Sequence, residues 1–387
     1  VSIFLLFSCD FLPKIKNGKK NKQLINYVNP FIGTGGHGHT FPGATLPFGM
    51  MQLSPDTRLD GWDGCSGYHY TDNEIYGFSH THLSGTGVSD YGDILLMPMT
   101  GEWHLNNGAG KGVDQGYASR FDKETEHAEP GFYNCFLTDY EIEVGLTSTS
   151  RVGFHKYTFK NPVSKYFILD LDHRDQLSDW KIKSNSDNQI SGYRISKAWA
   201  QEQRVYFFIE FSESFMEFQF DQYQPKALYG FVDSTSKEIL VKVGISAVSI
   251  ENAKANLEAE VPHWDFEKTK TDARAAWNKQ LSKIEVKGEE EDKVKWIAQK
   301  HIKGKEICIY TIWENGELKG YASYHPAYRA GKGSGIFFET ATNDKVFEYV
   351  KTFGKHIHYT GQLSFDVIID EQQTPYFIFT CFYRRWR

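Results

Sequence analysis

From Asn29 to Gly101 the chain reads NPFIGTGGHGHTFPGATLPFGMMQLSPDTRLDGWDGCSGYHYTDNEIYGFSHTHLSGTGVSDYGDILLMPMTG. Glycine and proline recur too often here for a long helix, because each breaks one. Yet His37, His39, His69, His80, His82, Trp62 and the tyrosines at 68, 70, 76 and 91 make the stretch too aromatic for a solvated linker. It reads as ordered loops between short strands, the kind of surface on which binding chemistry is displayed.

Outward from this stretch, composition bounds the rest. The 387 residues are 40% hydrophobic and 16% aromatic, enough to build a sizeable core. That length suits two or three domains, or one large β domain with an appendage. Lys and Arg number 43 against 49 Asp and Glu, and a net charge of -6 gives no electrostatic ground for nucleic acid. Neutral or polar ligands fit better.

The five cysteines, Cys9, Cys65, Cys135, Cys308 and Cys381, lack CxxC spacing, so neither a zinc site nor a small disulfide scaffold is indicated. A Cys65–Cys135 disulfide stays open for an exported protein. The N-terminal VSIFLLFSCD is an apolar run that ends Leu6-Phe7-Ser8-Cys9, like the end of a bacterial lipoprotein signal in which the cysteine is lipidated. The expectation is a lipoprotein of a Gram-negative bacterium, periplasmic or on the outer membrane, anchored at Cys9; a frayed apolar terminus is the alternative. No apolar run reaches the ~18 residues of a transmembrane helix. Residues 10–26, rich in Lys and Asn, have the composition of a tether, which makes 1–26 a truncated signal with its tether.

From Tyr27 to Val261 the pattern is β. Ile94–Met97 is a short buried run, and Glu141–Leu146, Phe154–Phe159, Arg204–Phe211 and Glu238–Ile245 alternate between turn residues. Without intervening amphipathic helices this predicts a large antiparallel sandwich over 27–261. The period then changes. Ala253–Lys283 suits two helical pieces separated by Pro262, a helical linker over 262–290 that runs into the acidic 289–293.

Several local patterns have plain readings. Gly33–Gly38 fits GxGxxG, but Pro42, Gly43 and Pro47 forbid the helix that must receive a pyrophosphate. Residues 331–335, GKGSG, lack the Walker spacing and read as a turn. His80 and His82 are two apart and could present imidazoles to a metal from one strand face, or be buried and hydrogen-bonded beside Ser79, Thr81 and Ser84. Trp62, Tyr68 and Tyr70 could be core, or a platform that stacks on a sugar ring while nearby polar groups bind its hydroxyls.

NPFIGT, TFPGATLPFGMMQLSPD, CSGYHYTD, GFSHTHLSGTG and GDILLMP, in this order, resemble the N-terminal β-sandwich domain of family 92 glycoside hydrolases, calcium-dependent exo-α-mannosidases abundant in gut Bacteroidetes. The resemblance covers residues 27–286, including the AAWNKQLSKIEV helix. It implies an inverting mechanism on α-mannosides of glycans, with a carboxylic acid and a carboxylate base flanking the bond and calcium engaging the sugar hydroxyls. In the family, the acids and most calcium ligands belong to an (α/α)6 barrel, and the Trp62–Tyr70 and Phe78–Gly87 loops face that barrel. Trp62, Cys65, Tyr68, His69, His80, His82 and Ser84 are thereby candidate substrate-binding residues. The pattern departs from the family near Glu290, so the barrel, a partner of this domain, is expected to be missing, and no catalytic residue is named.

The remainder predicts a small α+β fragment over 300–387. Two strands flank the Asn315-Gly316 turn, Val346, Phe347, Val350 and Phe353 form a helix face, and two strands follow. This order resembles the C-terminal lobe of ATP-grasp ligases over 300–378. The resemblance implies a magnesium position at Asp366, but Phe379-Thr380-Cys381 stands where a second acid and an Asn belong. A fused or misassembled frame would account for both junctions. Two functional classes stay open: a glycosidase whose β domain shapes the sugar pocket, and a non-catalytic carbohydrate-binding or interaction module. A ligase fragment is third.

Overall fold

The computed structural model describes residues 23–161, 164–220, 223–231, 235–283, 304–329, 335–378 and 383–384. Cys9, residues 10–22 of the tether, the acidic run at 289–293, residues 331–334 and Cys381 lie outside them. The chain divides into two compact units, Lys22–Glu285 and one that contains Val286–Arg387.

The first unit is an antiparallel sandwich, as the alternation predicts. One sheet has seven strands in the order Ala44–Thr45, Gln52–Asp56, Gly77–Ser79, Leu95–Thr100, Lys165–Asp170, Lys226–Phe231 and Met216–Phe220. The other has eight, in the order Gln176–Ser184, Gln189–Lys197, Gln203–Phe211, Glu238–Ser246, Val152–Phe159, Ile142–Ser148, Phe132–Leu137 and His127–Glu129. Period two decides what each strand buries. Along Val152–Phe159, Tyr157 and Phe159 enter the core between the sheets, while Val152 and Phe154 face the other way.

That outer face is covered by α1 (Ile250–Glu260) and α2 (Phe266–Leu281). Ser249 caps α1 by accepting from Asn252 N–H, and Asp265 caps α2 by accepting from Lys268 N–H. Pro262 falls between them, as predicted. The two helices are a third layer rather than a free linker, because Ala253, Leu257, Val261 and Phe266 close on Phe132, Val152, Phe154 and Phe208 in one cluster. Gly244 permits the approach, since a Cβ there would collide with the carbonyl oxygen of Ala253.

The tether expectation fails for its last residues. Leu24–Tyr27 forms a helical turn, Ile25 is buried, and its N–H donates to Asn278 Oδ1 of α2 at 3.0 Å. Its apolar pair Leu24-Ile25 has a surface to bury against. The open disulfide is not formed: Cys65 and Cys135 are free, buried thiols.

The second unit has a sheet in the order Gly335–Thr340, Glu317–Arg329, Lys305–Glu314, Gly361–Ile369 and Pro375–Ile378, with Tyr383–Arg384 also on Gly361–Ile369. Asn315 and Gly316 turn the first hairpin with φ of 49° and 80°. Helix α3 (Asp344–His356) buries Val346 and Val350 on the sheet, and its Gly354 leaves room for the Trp313 ring. Residues 335–340 form a strand that the sequence reading did not separate.

Candidate functional site

The loops at 29–40, 61–70 and 80–93 converge in the sandwich unit. Gly61, with φ of 78°, turns the chain into the short helical turn Trp62–Gly64. The Trp62 ring rests on Gly87, where a Cβ would drive into the indole, and meets His39 edge to face with centroids 5.1 Å apart. It is held in place and yet 62% exposed. Asp63 beside it accepts from His37 Nδ1–H at 2.6 Å and His39 Nε2–H at 3.4 Å, and these bonds hold its carboxyl below the usual range. The glycine-rich 33–38 segment thus folds as turns onto the Trp62 loop, with no following helix.

The predicted site residues separate into a rim and a floor. Trp62 and Ser84 are exposed, whereas Cys65, Tyr68, His69, His80 and His82 are buried. Cys65 donates its thiol to Thr86 O at 2.6 Å, and burial pushes its pKa up. Tyr68 bonds Glu126 Oε1 at 2.8 Å; burial and that carboxylate raise the phenol far above its ordinary value. His69 donates Nε2–H to Gly36 O at 3.2 Å and accepts from Thr71 through Nδ1 at 2.9 Å.

His80 and His82 follow the Gly77–Ser79 strand rather than lying on it, and they part company. His80 enters the core. Its Nδ1–H donates to Ile94 O at 2.6 Å, so its Nε2 accepts from His155 Nε2–H at 2.9 Å, and His155 Nδ1 in turn accepts from Tyr157 O–H at 2.8 Å. Both nitrogens of His80 are engaged, leaving it no atom for a ligand. His82 donates Nδ1–H to Gln52 O at 2.7 Å and turns Nε2 toward Asp56 Oδ1 at 3.4 Å.

Asp56 is the buried group that sequence reading missed. Fully enclosed, it faces His82, His173 Nε2 at 3.5 Å and Arg174 Nη1 at 3.9 Å. Burial alone would raise its pKa, but the two imidazoles outweigh burial and hold it far below the ordinary value. A second buried pair, Arg194 and Asp93, lies 2.5 Å apart. Asp175, at φ of 61°, accepts from Ser89 at 3.3 Å, and burial raises its carboxyl to about 6. The available signal was HRD at 173–175, three residues past the end of the apolar Lys165–Asp170 strand.

A cleft of about 570 Å³ lies apart from these loops, between α2 and the sheet edge at His127 and Phe132. Its Arg274 pairs with Glu129 and its Lys156 with Glu267. Those contacts make it a structural seam.

Among the described residues, one set of three acidic, imidazole or thiol ligands converges within 4.8 Å: Glu306, Cys308 and Asp366 in the second unit. The thiol is pushed up to about 12 by burial, then by Asp366 and Glu306. A site with a thiol suits a softer ion than magnesium, which takes oxygen ligands, so the magnesium reading of Asp366 does not fit its surroundings. Among the described residues of the sandwich unit no three such ligands converge, whereas calcium is a hard ion that takes six to eight oxygens.

The unit is a large antiparallel β-sandwich domain whose loops carry a rim of aromatic, imidazole and carboxylate groups. The chain belongs to glycosyl hydrolase family 92: the family's N-terminal domain model matches residues 27–246, and its catalytic domain model matches 252–298. Among solved structures, it is similar to a family 92 alpha-mannosidase of Bacteroides thetaiotaomicron at 35% identity and a TM-score of 0.63, covering 68% of this chain and 38% of that one. A family 92 inverting mannosidase of the same organism matches at 25% identity and a TM-score of 0.59, covering 70% and 38%. An uncharacterized secreted glycosidase of Arthroderma benhamiae is 26% identical over 314 residues, 68% of this chain and 39% of the relative. The chain therefore spans about two fifths of these relatives' length. The matched family models end at residue 298, and the ATP-grasp likeness has no support among them.

Proposed function

We propose that the sandwich forms part of an α-mannoside pocket in which Trp62 is the stacking platform. The observation that carries this is a Trp fixed on Gly87 and His39 while 62% exposed, with Asp63 on the same turn, paired with His37, and exposed Ser84 on the neighbouring loop as candidate hydroxyl partners. Cys65, Tyr68, His69, His80 and His82 serve from below, by holding the loops. The relative at 35% identity has also been solved with mannoimidazole, which supports a mannoside as ligand.

Inverting, calcium-dependent hydrolysis of α-mannosides in glycans is the activity of the whole enzyme in this reading. It needs two carboxyl groups about 6.5–9.5 Å apart. Of the described acids within the catalytic-domain match, Glu258, Glu260, Glu267 and Asp272 are paired with Lys254, Arg151, Lys156 and Lys268, and Asp265 caps α2, so we assign none of them to catalysis. The chain by itself binds mannosides without cleaving them. Among the described residues no helix is long and apolar enough to cross a membrane. The secreted relative supports export; lipid attachment at Cys9 in a Gram-negative envelope rests on the Leu6–Cys9 run alone.

The test is titration of the purified chain with methyl α-mannoside and methyl α-glucoside, beside an assay of mannose release from an α-linked mannobiose with calcium. Saturable mannoside binding without release is expected. Release by the chain alone would contradict the non-cleaving role, and absence of mannoside binding would contradict the pocket.

A further inference from the structure

The loop carrying Trp62 and Cys65 and the loop carrying Thr86–Ser89 are in contact at three places. Trp62 lies on Gly87, and the Cys65 thiol donates to Thr86 O at 2.6 Å. The third is made by a side chain belonging to neither loop: Arg174 Nη2 donates to Gly64 O at 2.9 Å and to Ser89 Oγ at 2.8 Å. Arg174 follows the Lys165–Asp170 strand and is buried.

Its position is fixed from behind. Asp56 faces Nη1 at 3.9 Å, beyond hydrogen-bond reach, so charge rather than a shared proton holds the guanidinium. Gly92, at φ of 78°, lies against the aliphatic stem, where a Cβ would sit 2.8 Å from Arg174 Cδ. The Arg174 carbonyl accepts from Arg194, itself paired with buried Asp93. One nitrogen therefore joins two loops, and its carrier is anchored at its head, its stem and its backbone.

We infer that Arg174 is a positioning residue of the sugar site, which locks the Trp62–Cys65 turn against the Thr86–Ser89 loop so that the Trp62 face is preformed for a mannoside. This rests on the mannoside reading above. Preformed loops spare the ligand the cost of ordering them. Lysine keeps a charge, but its single ammonium cannot both face Asp56, as Nη1 does, and bond Gly64 O and Ser89 Oγ, as Nη2 does, so Arg174→Lys is an informative replacement.

Cys65 reports the lock independently of sugar. Iodoacetamide labelling with peptide mass analysis compares it with Cys135, equally buried but in the core between the sheets. In Arg174→Lys we expect Cys65 to alkylate about tenfold faster, Cys135 to be unchanged, and methyl α-mannoside to bind about tenfold more weakly, as losing charge-assisted bonds implies. Ser89→Ala, a smaller change that removes one acceptor and leaves the guanidinium in place, should show both effects at about threefold. Saturating methyl α-mannoside should slow Cys65 labelling in the wild type. An unchanged Cys65 rate in both variants would overturn the proposal, as would a joint rise of Cys65 and Cys135, which marks general loosening. Faster Cys65 labelling in a protein whose wild type binds no mannoside would leave the clamp but overturn its sugar-site role, together with the reading beneath it.

Discussion

His80 Nε2 and His155 Nε2 meet at 2.9 Å in the core, His80 just past a strand of one sheet and His155 within a strand of the other. With Ile94 O accepting at one end and Tyr157 O–H donating at the other, every tautomer in the chain is set, and an extra proton would leave two donors facing each other.

Stability should therefore fall on acidification. Burial lowers His80 to about 4, and burial followed by His80 lowers His155 well below its ordinary value. The unfolded chain binds these protons near pH 6.5, so stability is full above that value and is lost as pH falls toward 4, by roughly 3 kcal/mol from His80. Asp175, raised to about 6, opposes this, since its folded form takes up a proton that the unfolded form does not bind until near 3.8. Urea midpoints measured from pH 7 to 4.5 should decline, and decline more steeply in Asp175→Asn. A flat profile would contradict the neutral His80–His155 pair.

Asp56→Asn keeps the shape of the side chain but leaves Arg174 and two imidazoles around a buried neutral amide. Removing one partner from a buried charged set costs on the order of 3 kcal/mol. Chemical denaturation at pH 7 should show that loss; a change below about 1 kcal/mol would mean that water reaches the cluster.

Gly244→Ala should disturb the third layer. Its Cβ would meet the Ala253 carbonyl, so α1 must shift, at a cost of about 1–3 kcal/mol. Hydrogen exchange should then accelerate in Ile250–Glu260 before it does in the inter-sheet core, and uniform acceleration would speak against this packing.

The frame was legible where physics is local. Alternation marked Glu141–Leu146, Phe154–Phe159, Arg204–Phe211 and Glu238–Ile245, and the structure places strands on all four. Asn315-Gly316 turned the hairpin it announced because both residues accept positive φ. Strands such as Gln189–Lys197 were less visible, since Ser191, Arg194 and Ser196 are polar and buried there, which period-two hydrophobicity does not mark. The candidate site was legible as a stretch, not as roles. His80 and His82 looked equivalent, yet the partners that separate them, His155 and Asp56, lie 75 and 26 positions away along the chain. Arg174 stood in that HRD run with nothing local to tell its task, which is defined by loops that meet it only in three dimensions.

Trp62→Ala is the decisive variant for the mannoside pocket. The ring touches only Gly87 and His39 among the contacts described above and is largely in solvent, so its loss should leave the unfolding midpoint close to that of the wild type. Titrating both proteins with methyl α-mannoside, we expect saturable binding by the wild type and at least about tenfold weaker binding by Trp62→Ala, the scale of a lost stacking contact. Equal affinity in the two folded proteins would contradict Trp62 as the platform on which the sugar rests.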